Sequence, residues 1–496
     1  MNNLTNYEIN DAPMMMDIRS ETLEPINGTS GSSKRFTFRL DQAGYLDQNS
    51  LLLFKAQAGA GKTKVRANCM NGGLGAIKRV VLQVGDYVIN DVQGCDIIST
   101  LRNLSTMGTS QKNNVKGWYF QNQFWSKVLE APDTKLVPTG AVQGQGGVGS
   151  ILPDPNSCGS NMGDISAAGN TGAVVNSCLI SDDQNNNQQF GIPLGTILPS
   201  LQGRTLPLFL FQQYRILITV EFHDAPNWVN DLEQVNNQTI NVGTGANQGM
   251  AGLINGVSYH DVKLQVDYII LPAEVQNKDM EETKKDGGFK LSFFDSIKIE
   301  KNVPTATAGQ EQSVEHRIGA DNKEVHKIYM IKKLTDLDKT INNIYHLDGR
   351  CDAQPQEEYN VNIDGVDVFQ EFKFNPASQY DETTNCLGAD LKVDRPLYFA
   401  DDNSVYYSLG SYGGGYCGNY KPLCLDLSNG QNQIAGGGRN IGAYPVIWKY
   451  KRKSQAAIPN LAPALNGSMN VDYYVLCSKM AVIQSTIKGT NVVVSY

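Results

Sequence analysis

The segment Val266-Asp-Tyr-Ile-Ile-Leu271 is echoed near the end of the chain by Val471-Asp-Tyr-Tyr-Val-Leu476. Both segments are rich in β-branched and aromatic residues, which favour β-strands. Each also stands at the apparent end of one half of the 496-residue chain, which is long enough for two large domains. Because a solenoid repeats every ~20–50 residues, this wider spacing predicts two tandem β-sandwiches instead.

A weaker correspondence pairs Ile77-Lys-Arg-Val-Val-Leu82 with Val325-His-Lys-Ile-Tyr-Met330. The two correspondences have different offsets along the chain. The loop from Leu136 to Gln189, rich in glycine and asparagine, lies in the first half and is expected to supply the extra length.

Strand patterns surround both correspondences. Apolar and polar residues alternate at Arg35–Leu40, Arg215–Phe222 and Val262–Ile270, which is the period of a half-buried strand. Leu51–Lys55 is almost wholly apolar and predicts a strand covered on both faces. The pair Gly85-Asp86 between two β-branched runs predicts a hairpin, because glycine readily adopts positive φ.

The second half repeats this pattern of strands and polar loops. Ser408–Arg439 in the second half is predicted to be a further loop. In the first half, Asp96–Leu104 has the spacing of a short helix. The aromatic cluster Trp118–Trp125 is interpreted as core, with a sugar-binding platform as the alternative. The later β runs are Phe289–Ile299, Val325–Ile331, Val366–Phe374, Met469–Leu476 and Asn491–Tyr496.

Composition narrows the function classes. The formal net charge is −8, and no run of lysine and arginine is interleaved with aromatics, so direct genome binding is not expected. No stretch approaches ~20 consecutive apolar residues, and Met1–Asn10 lacks the features of a secretory signal. We therefore expect a soluble protein that is not secreted.

Cysteine and histidine spacing gives no metal signature. The nine cysteines include no C-x-x-C pair, and the five histidines lack H-x-x-x-H and H-x-H spacing. Free thiols in a reducing compartment are the expected state. No G-x-S-x-G or H-E-x-x-H motif marks a catalytic centre. We predict no catalytic, cofactor-binding or metal-binding residues.

One segment resembles a nucleotide site. Ala56-Gln-Ala-Gly-Ala-Gly-Lys62-Thr63 fits a loosened phosphate-loop pattern after an apolar strand. A phosphate loop needs a following helix, and Lys64–Gly73 carries glycines and no helical apolar stripe. The favoured interpretation is a surface loop joining two strands, although the role of Ala56–Gly73 stays open.

Several stretches in order resemble the major capsid proteins of the double jelly-roll lineage, above all those of polinton-like viruses and virophages. The stretches are Arg35–Lys55, Gly75–Ile89, Arg204–Leu208, Tyr214–Phe222 and Val266–Leu271. They cover about 200 residues in pieces, and the second half matches by architecture.

The resemblance implies an all-β chain of two tandem eight-stranded jelly rolls with long surface loops and a few short helices. The expected divisions are an N-terminal arm at 1–34, a first jelly roll at 35–275 and a second at 276–496. It further implies pseudo-hexameric homotrimers that tile the facets of an icosahedral DNA virus capsid. Expected partners are further copies of the chain, neighbouring trimers, and penton and other minor capsid proteins, in virions assembled inside the host cell.

Two alternatives belong to other classes. One is a binding module, either a minor capsid protein or a glycan-binding tandem sandwich. The other is a nucleotide hydrolase using Lys62 and Thr63, which requires strands alternating with long helices in an α/β sheet. The strand-rich pattern disfavours this enzyme.

Overall fold

The computed structural model describes most of the β-rich parts of the chain. The described residues are 17–28, 34–60, 65–67, 72–99, 179–180, 189–211, 214–224, 228–231, 256–304, 310–334, 357–372, 382, 386, 423–428, 437–443, 445–453, 469–486 and 489–495. The predicted aromatic cluster Trp118–Trp125 and most of the loop Leu136–Gln189 lie outside them.

Strands dominate both halves. The first-half strands are β1 Asp17–Leu23, β2 Arg35–Leu40, β3 Tyr45–Leu46, β4 Leu51–Ala58, β5 Val65–Ala67, β6 Ile77–Val84, β7 Tyr87–Gln93, β8 Leu179–Ile180, β9 Gln189–Pro193, β10 Leu206–Pro207, β11 Ile216–Phe222, β12 Val229–Asp231 and β13 Val257–Ile270. The second-half strands are β14 Phe289–Val303, β15 Glu311–Ile318, β16 Glu324–Leu334, β17 Glu357–Ile363, β18 Val366–Asp367, β19 Leu423–Asp426, β20 Arg439–Asn440, β21 Val446–Lys453, β22 Met469–Thr486 and β23 Gly489–Ser495.

Helical segments are few and short. The four-residue helix Leu194–Ile197 and the 3-10 turns Gly72–Ala76, Pro199–Leu201 and Leu208–Phe211 lie in the first half. Residues 95–99 are helical, as predicted, and the rest of Asp96–Leu104 lies outside the described residues. The longest helix among the described residues, Ala273–Lys285, connects the two halves and is called the linker helix here.

The first half forms an eight-stranded jelly roll. One sheet has the order β1-β13-β4-β9, and β3 and β10 extend it. The second has the order β2-β11-β6-β7. Taken along the chain, β1, β2, β4, β6, β7, β9, β11 and β13 alternate between the two sheets except at the β6–β7 hairpin, which is the order that defines a jelly roll.

The second half repeats the same topology. Strands β14-β22-β16-β19 form one sheet and β15-β21-β17-β18 the other. Position by position, β14 corresponds to β1, β18 to β7 and β22 to β13. The chain is therefore a double jelly roll, as predicted.

This topology tests the two sequence correspondences. Val266–Leu271 starts within β13 and Val471–Leu476 lies in β22, and these are the eighth strands of the two jelly rolls. The weaker correspondence is wrong. Ile77–Leu82 belongs to β6, the fourth strand, whereas Val325–Met330 belongs to β16, the third. A short β pattern reports which faces are buried, and it does not report the strand's place in the sheet.

Side-chain alternation is confirmed along most predicted strands. In β2, Phe36, Phe38 and Leu40 are buried while their neighbours are not. The expectation that Leu51–Lys55 is covered on both faces is wrong, because β4 alternates buried and half-buried residues along its whole length. Its second face is only partly covered.

Four other expectations need adjustment. The predicted loop Ser408–Arg439 contains β19, whose Leu423, Cys424 and Leu425 are buried. Of the predicted run Val366–Phe374, the described residues 366–372 form a strand only at β18. Within the expected N-terminal arm, β1 pairs with β13 along its full length. The expected boundary after residue 275 falls inside the linker helix.

The linker helix has clear signals at both ends. Glu274 lies in its first turn, where a negative charge is favoured by the helix dipole. Gly287 and Gly288, both at positive φ, follow its last turn. The Tyr45 hydroxyl donates to the Asp279 carboxylate at 2.5 Å, which holds the helix against the first jelly roll.

One ten-stranded sheet belongs to both sandwiches. Its order is β19-β16-β22-β14-β7-β6-β11-β2, with β20 and β23 at its margins. Strands β14 and β7 meet in a parallel contact at Ser296 and Val92. The first jelly roll thus contributes four strands to this shared sheet and the second contributes six, counting β20 and β23, and the sheet joins the two into one body.

Candidate functional site: the seam between the jelly rolls

The seam between the jelly rolls is built on the two long strands β14 and β22. They pair antiparallel from Phe289 opposite Ile483 to Val303 opposite Met469. Odd-numbered residues of both strands share one face, because directly opposed residues point to the same side of a sheet. This face therefore runs through the whole molecule.

The odd-numbered face passes from one hydrophobic core to the other. Leu291 and Phe293 pack in the core of the first jelly roll. Val303 lies in the core of the second, and Ile297 and Ile299 pack against that core. Between the two groups, the face carries charges instead of apolar side chains.

An ion pair occupies the crossing point. The Lys479 ammonium lies 3.1 Å from the Asp295 carboxylate, and the two side chains are 2% and 4% exposed. Removing one partner of such a pair leaves a buried charge without compensation, which costs far more than a surface ion pair contributes. The buried charges of Asp295 and Lys479 therefore require each other in the folded protein.

The same two side chains bind the edge of β7. The backbone N–H of Asp91 donates to the Asp295 carboxylate at 3.2 Å. The Lys479 ammonium donates to the Val88 carbonyl at 3.5 Å. The Ser296 hydroxyl donates to the Gln93 carbonyl at 2.9 Å. Side chains of the second jelly roll thus satisfy backbone groups of β7, because β7 and β14 pair at only one position, Val92 with Ser296.

Burial perturbs the acid of this pair. Desolvation raises the pKa of Asp295 to about 6, against the opposing effect of the Lys479 charge and of the hydrogen bonds. A carboxyl with that pKa is ionised at neutral pH and gains a proton in mild acid. The seam therefore contains a group that titrates near pH 6.

Close packing fixes the seam on its other face. Gly94 follows β7 at φ +65°, and a Cβ atom there would overlap the ring of Tyr474. Next to Tyr474, the Lys298 ammonium lies 3.1 Å from the buried carboxylate of Asp472. Burial lowers the pKa of Lys298, but Asp472 and Glu300 outweigh this and the net shift is upward.

Exposed apolar side chains border the seam. Among the described residues, Tyr87 and Val88 at the start of β7 are exposed, as are Met480 and Val493 on the hairpin formed by β22 and β23. Strand β23 lies against β7. On the β22 and β23 hairpin, Ala481 and Val494 face the first core, so one face of the hairpin is packed and the other is open.

The phosphate-loop-like segment does not have the setting that a nucleotide site needs. Ala56 to Ala58 complete β4, with Ala56 and Ala58 buried in the first core. Residues 61–64, including Lys62 and Thr63, lie outside the described residues. The described chain continues as β5, which is a strand and not a phosphate-binding helix.

The histidines are dispersed over the described chain. His223 lies 3.2 Å from Asp96, and His316 hydrogen bonds with Tyr473 at 2.7 Å. His326 hydrogen bonds with Ser478 at 2.6 Å. In the described part of the chain, no three His, Cys, Asp or Glu side chains form a group suited to a metal ion. No described helix is long and apolar enough to cross a membrane.

The seam residues were not predicted from the sequence. Asp295 and Lys479 each sit singly in an apolar run, where an isolated charge reads as solvent-facing. A detectable signal lay at the turns: Asp364-Gly365 joins β17 to β18 just as Gly85-Asp86 joins β6 to β7. Aligning these two turns matches β7 with β18, the strand at the same position in the second jelly roll.

Comparison with known proteins supports the fold. No protein-family model matches the chain, and no curated protein matches its sequence. The crystal structure of PBCV-1 VP54 fitted into a cryo-EM reconstruction of the virophage Sputnik aligns over 99% of both chains, with 10% identity and a TM-score of 0.51. This likeness shows that the two chains share the double jelly-roll fold.

Two further capsid proteins align less closely. The Faustovirus major capsid protein matches at a TM-score of 0.47 and 11% identity, over 97% of this chain and 92% of its own. The mavirus major capsid protein matches at 0.42 and 8%, over 96% and 90%.

Proposed function

We propose that this chain is a major capsid protein, whose homotrimers tile the facets of an icosahedral DNA virus capsid. The observation that carries the proposal is the pair of jelly rolls joined by one shared sheet. Two sandwiches held at a fixed angle form a rigid building block, and three such blocks supply six sandwiches for a pseudo-hexagonal outline. The fold shared with PBCV-1 VP54 supports this role.

A closed ring of three copies uses heterologous contacts, in which one flank of each subunit meets the opposite flank of the next. The seam suits this geometry because it keeps the two flanks of one subunit in a fixed relation. Obligate interfaces of this kind often bury more than ~2,000 Å². The role proposed for the chain is structural, and we expect it to catalyse no reaction.

The partners follow from that role. They are further copies of this chain within the trimer, neighbouring trimers, and penton and other minor capsid proteins. The net charge of −8 favours solubility before assembly over direct contact with the genome. The proposed location is the virion, with assembly inside the host cell.

Light scattering coupled to size exclusion tests the trimer. The expected species has three times the chain mass of 54.3 kDa, or forms larger closed assemblies. Electron microscopy of that species is expected to show a pseudo-hexagonal outline with threefold symmetry. A folded monomer that persists at micromolar concentration, and in the presence of co-expressed minor capsid proteins, would contradict the proposal.

Copy number separates this function from the binding-module alternative. A facet protein is the most abundant protein of purified particles, whereas a vertex or glycan-binding protein is rare. Quantitative mass spectrometry of particles gives the ratio directly. A low copy number together with binding on a glycan array would favour the binding module.

A further inference from the structure

Two buried cysteines lie side by side beneath the second jelly roll. Cys424 is part of β19, and Cys386 belongs to a segment that packs on this strand. The Cys424 thiol raises the pKa of the Cys386 thiol, which places the two thiols close together. Both residues are buried, at 1% and 0% exposure, and neither is part of a disulfide.

Contacts that do not involve the sulfur atoms hold Cys386 in this place. The Lys327 ammonium donates to the Cys386 carbonyl, and the Tyr329 hydroxyl lies 3.4 Å from the same oxygen. Tyr329 stands directly opposite Cys424 in the ladder between β16 and β19. Cys386 is therefore fixed over its partner through its own backbone.

A second anchor lies one turn away. The backbone N–H of Asp426 donates to the Glu382 carboxylate at 2.9 Å. Residues 382 and 386 thus contact β19 at two points, Asp426 and Cys424. On the other side, the Tyr359 hydroxyl donates to the Cys424 carbonyl at 2.7 Å. Both cysteines are held from several directions, so the adjacency of the thiols is built into the packing.

We propose that Cys386 and Cys424 are the two halves of an oxidation-dependent disulfide that closes the loop of residues 387–423. The oxidant is a low-molecular-weight disulfide, such as oxidised glutathione. One cysteine thiolate attacks it and releases one glutathione thiolate. The second cysteine then attacks the mixed disulfide and releases the other, so two protein thiols are oxidised and one disulfide is reduced to two thiols.

Forming the disulfide brings the two sulfur atoms to about 2.05 Å. The linkage then constrains the unfolded chain by closing the 387–423 loop, which is expected to raise Tm by several degrees. This inference does not depend on the proposed capsid role.

Burial sets the rate of the reaction. Desolvation raises the pKa of the Cys386 thiol, and the neighbouring Cys424 thiol raises it further. Because only thiolate reacts, oxidation is expected to be slow at neutral pH and to accelerate by roughly tenfold per pH unit. The pair is thus stable in a reducing cell and closes on long exposure to an oxidising medium.

The test follows the oxidation state of single cysteines in the full-length protein. Reduced protein is incubated with oxidised glutathione at pH 7 and pH 8.5, then denatured in acid, alkylated and digested. Mass spectrometry is expected to find a Cys386–Cys424 linked peptide, forming faster at pH 8.5. Tm should rise together with the yield of this peptide, and both should reverse on reduction.

Matched variants serve as controls. Cys386→Ser should abolish both the linked peptide and the rise in Tm. Cys95→Ser should leave both unchanged, because the Cys95 thiol lies in the first core against Ser99 and the Ile197 carbonyl. A second arm unfolds reduced protein and refolds it in a glutathione redox buffer, so that burial does not limit access.

Two results would overturn the proposal. One is recovery of the native fold from the redox buffer with Cys386 and Cys424 both still alkylatable. The other is preferential pairing of either cysteine with a third one.

Discussion

Strands β7 and β18 occupy the same position in the two jelly rolls, yet they have different surroundings. Each follows a two-residue turn, Gly85-Asp86 and Asp364-Gly365 respectively. Strand β7 extends over seven residues, and its edge is held by Asp295, Ser296 and Lys479. Strand β18 has only two residues, and its Val366 is 65% exposed.

The difference shows that topology alone does not make a seam. The two strands share their fold position and turn, but among the described residues only β7 is contacted by a buried acid, Asp295 of β14, and a buried base, Lys479 of β22. We infer that this pair joins the two sandwiches, and four experiments test the comparison.

The largest effect is expected from Lys479→Met, which leaves the Asp295 carboxylate buried without its counter-charge. We expect a loss of about 3–5 kcal/mol in the free energy of unfolding. Denaturation at fixed protein concentration measures it. The double variant Asp295→Asn with Lys479→Met should recover part of the loss. Arg19→Ala, in an exposed pair with Glu21, should cost no more than about 1 kcal/mol. A similar cost for Lys479→Met would show that the seam does not depend on the pair.

The second test is Gly94→Ala at the seam. An alanine at position 94 would have to adopt positive φ, and its Cβ would overlap the buried Tyr474 ring. We expect a loss of about 2–4 kcal/mol by calorimetry. Gly365→Ala, also at positive φ but with nothing near its Cβ, should cost about 1–2 kcal/mol. Equal losses would mean that Tyr474 yields without cost.

The third test is pH dependence. The pKa of Asp295 in the folded state, about 6, exceeds the ordinary value of 3.8, so the folded state binds the extra proton. This contribution to stability is complete below about pH 4 and is lost as pH rises through 6. Relative to Asp295→Asn, the wild type should lose roughly 1–3 kcal/mol between pH 4 and 6.5. A constant difference between the two proteins would show that the pKa is not raised.

The smallest effect is expected from Val366→Lys on β18. The side chain is mostly exposed, so stability of the isolated chain should change by no more than about 0.5 kcal/mol. Thermal denaturation of the variant and the wild type checks this. A loss above 2 kcal/mol would reveal that the edge of β18 is as tightly held as that of β7.

Much of the fold was predictable because a strand with one buried face has alternating apolar and polar residues. The period at Arg35–Leu40 and the turn at Gly85-Asp86 therefore gave β2, β6 and β7. The seam was not predictable in the same way. Asp295 and Lys479 are 184 residues apart, and nothing local to either distinguishes a buried charge from a solvated one. The segments at Ile77 and Val325 were misaligned because the third and fourth strands of a jelly roll carry similar patterns of buried and exposed residues.

The separation of Asp295 and Lys479 also has a consequence for synthesis. A ribosome adds about 5–20 residues per second, so Lys479 emerges roughly 10–40 s after Asp295. During that interval the first jelly roll has all eight of its strands, but the acid at its border has no base. A prematurely terminated chain lacks the last strand of the second sandwich and with it the counter-charge. The pairing of Asp295 with Lys479 therefore waits until the eighth strand of the second jelly roll has been synthesised.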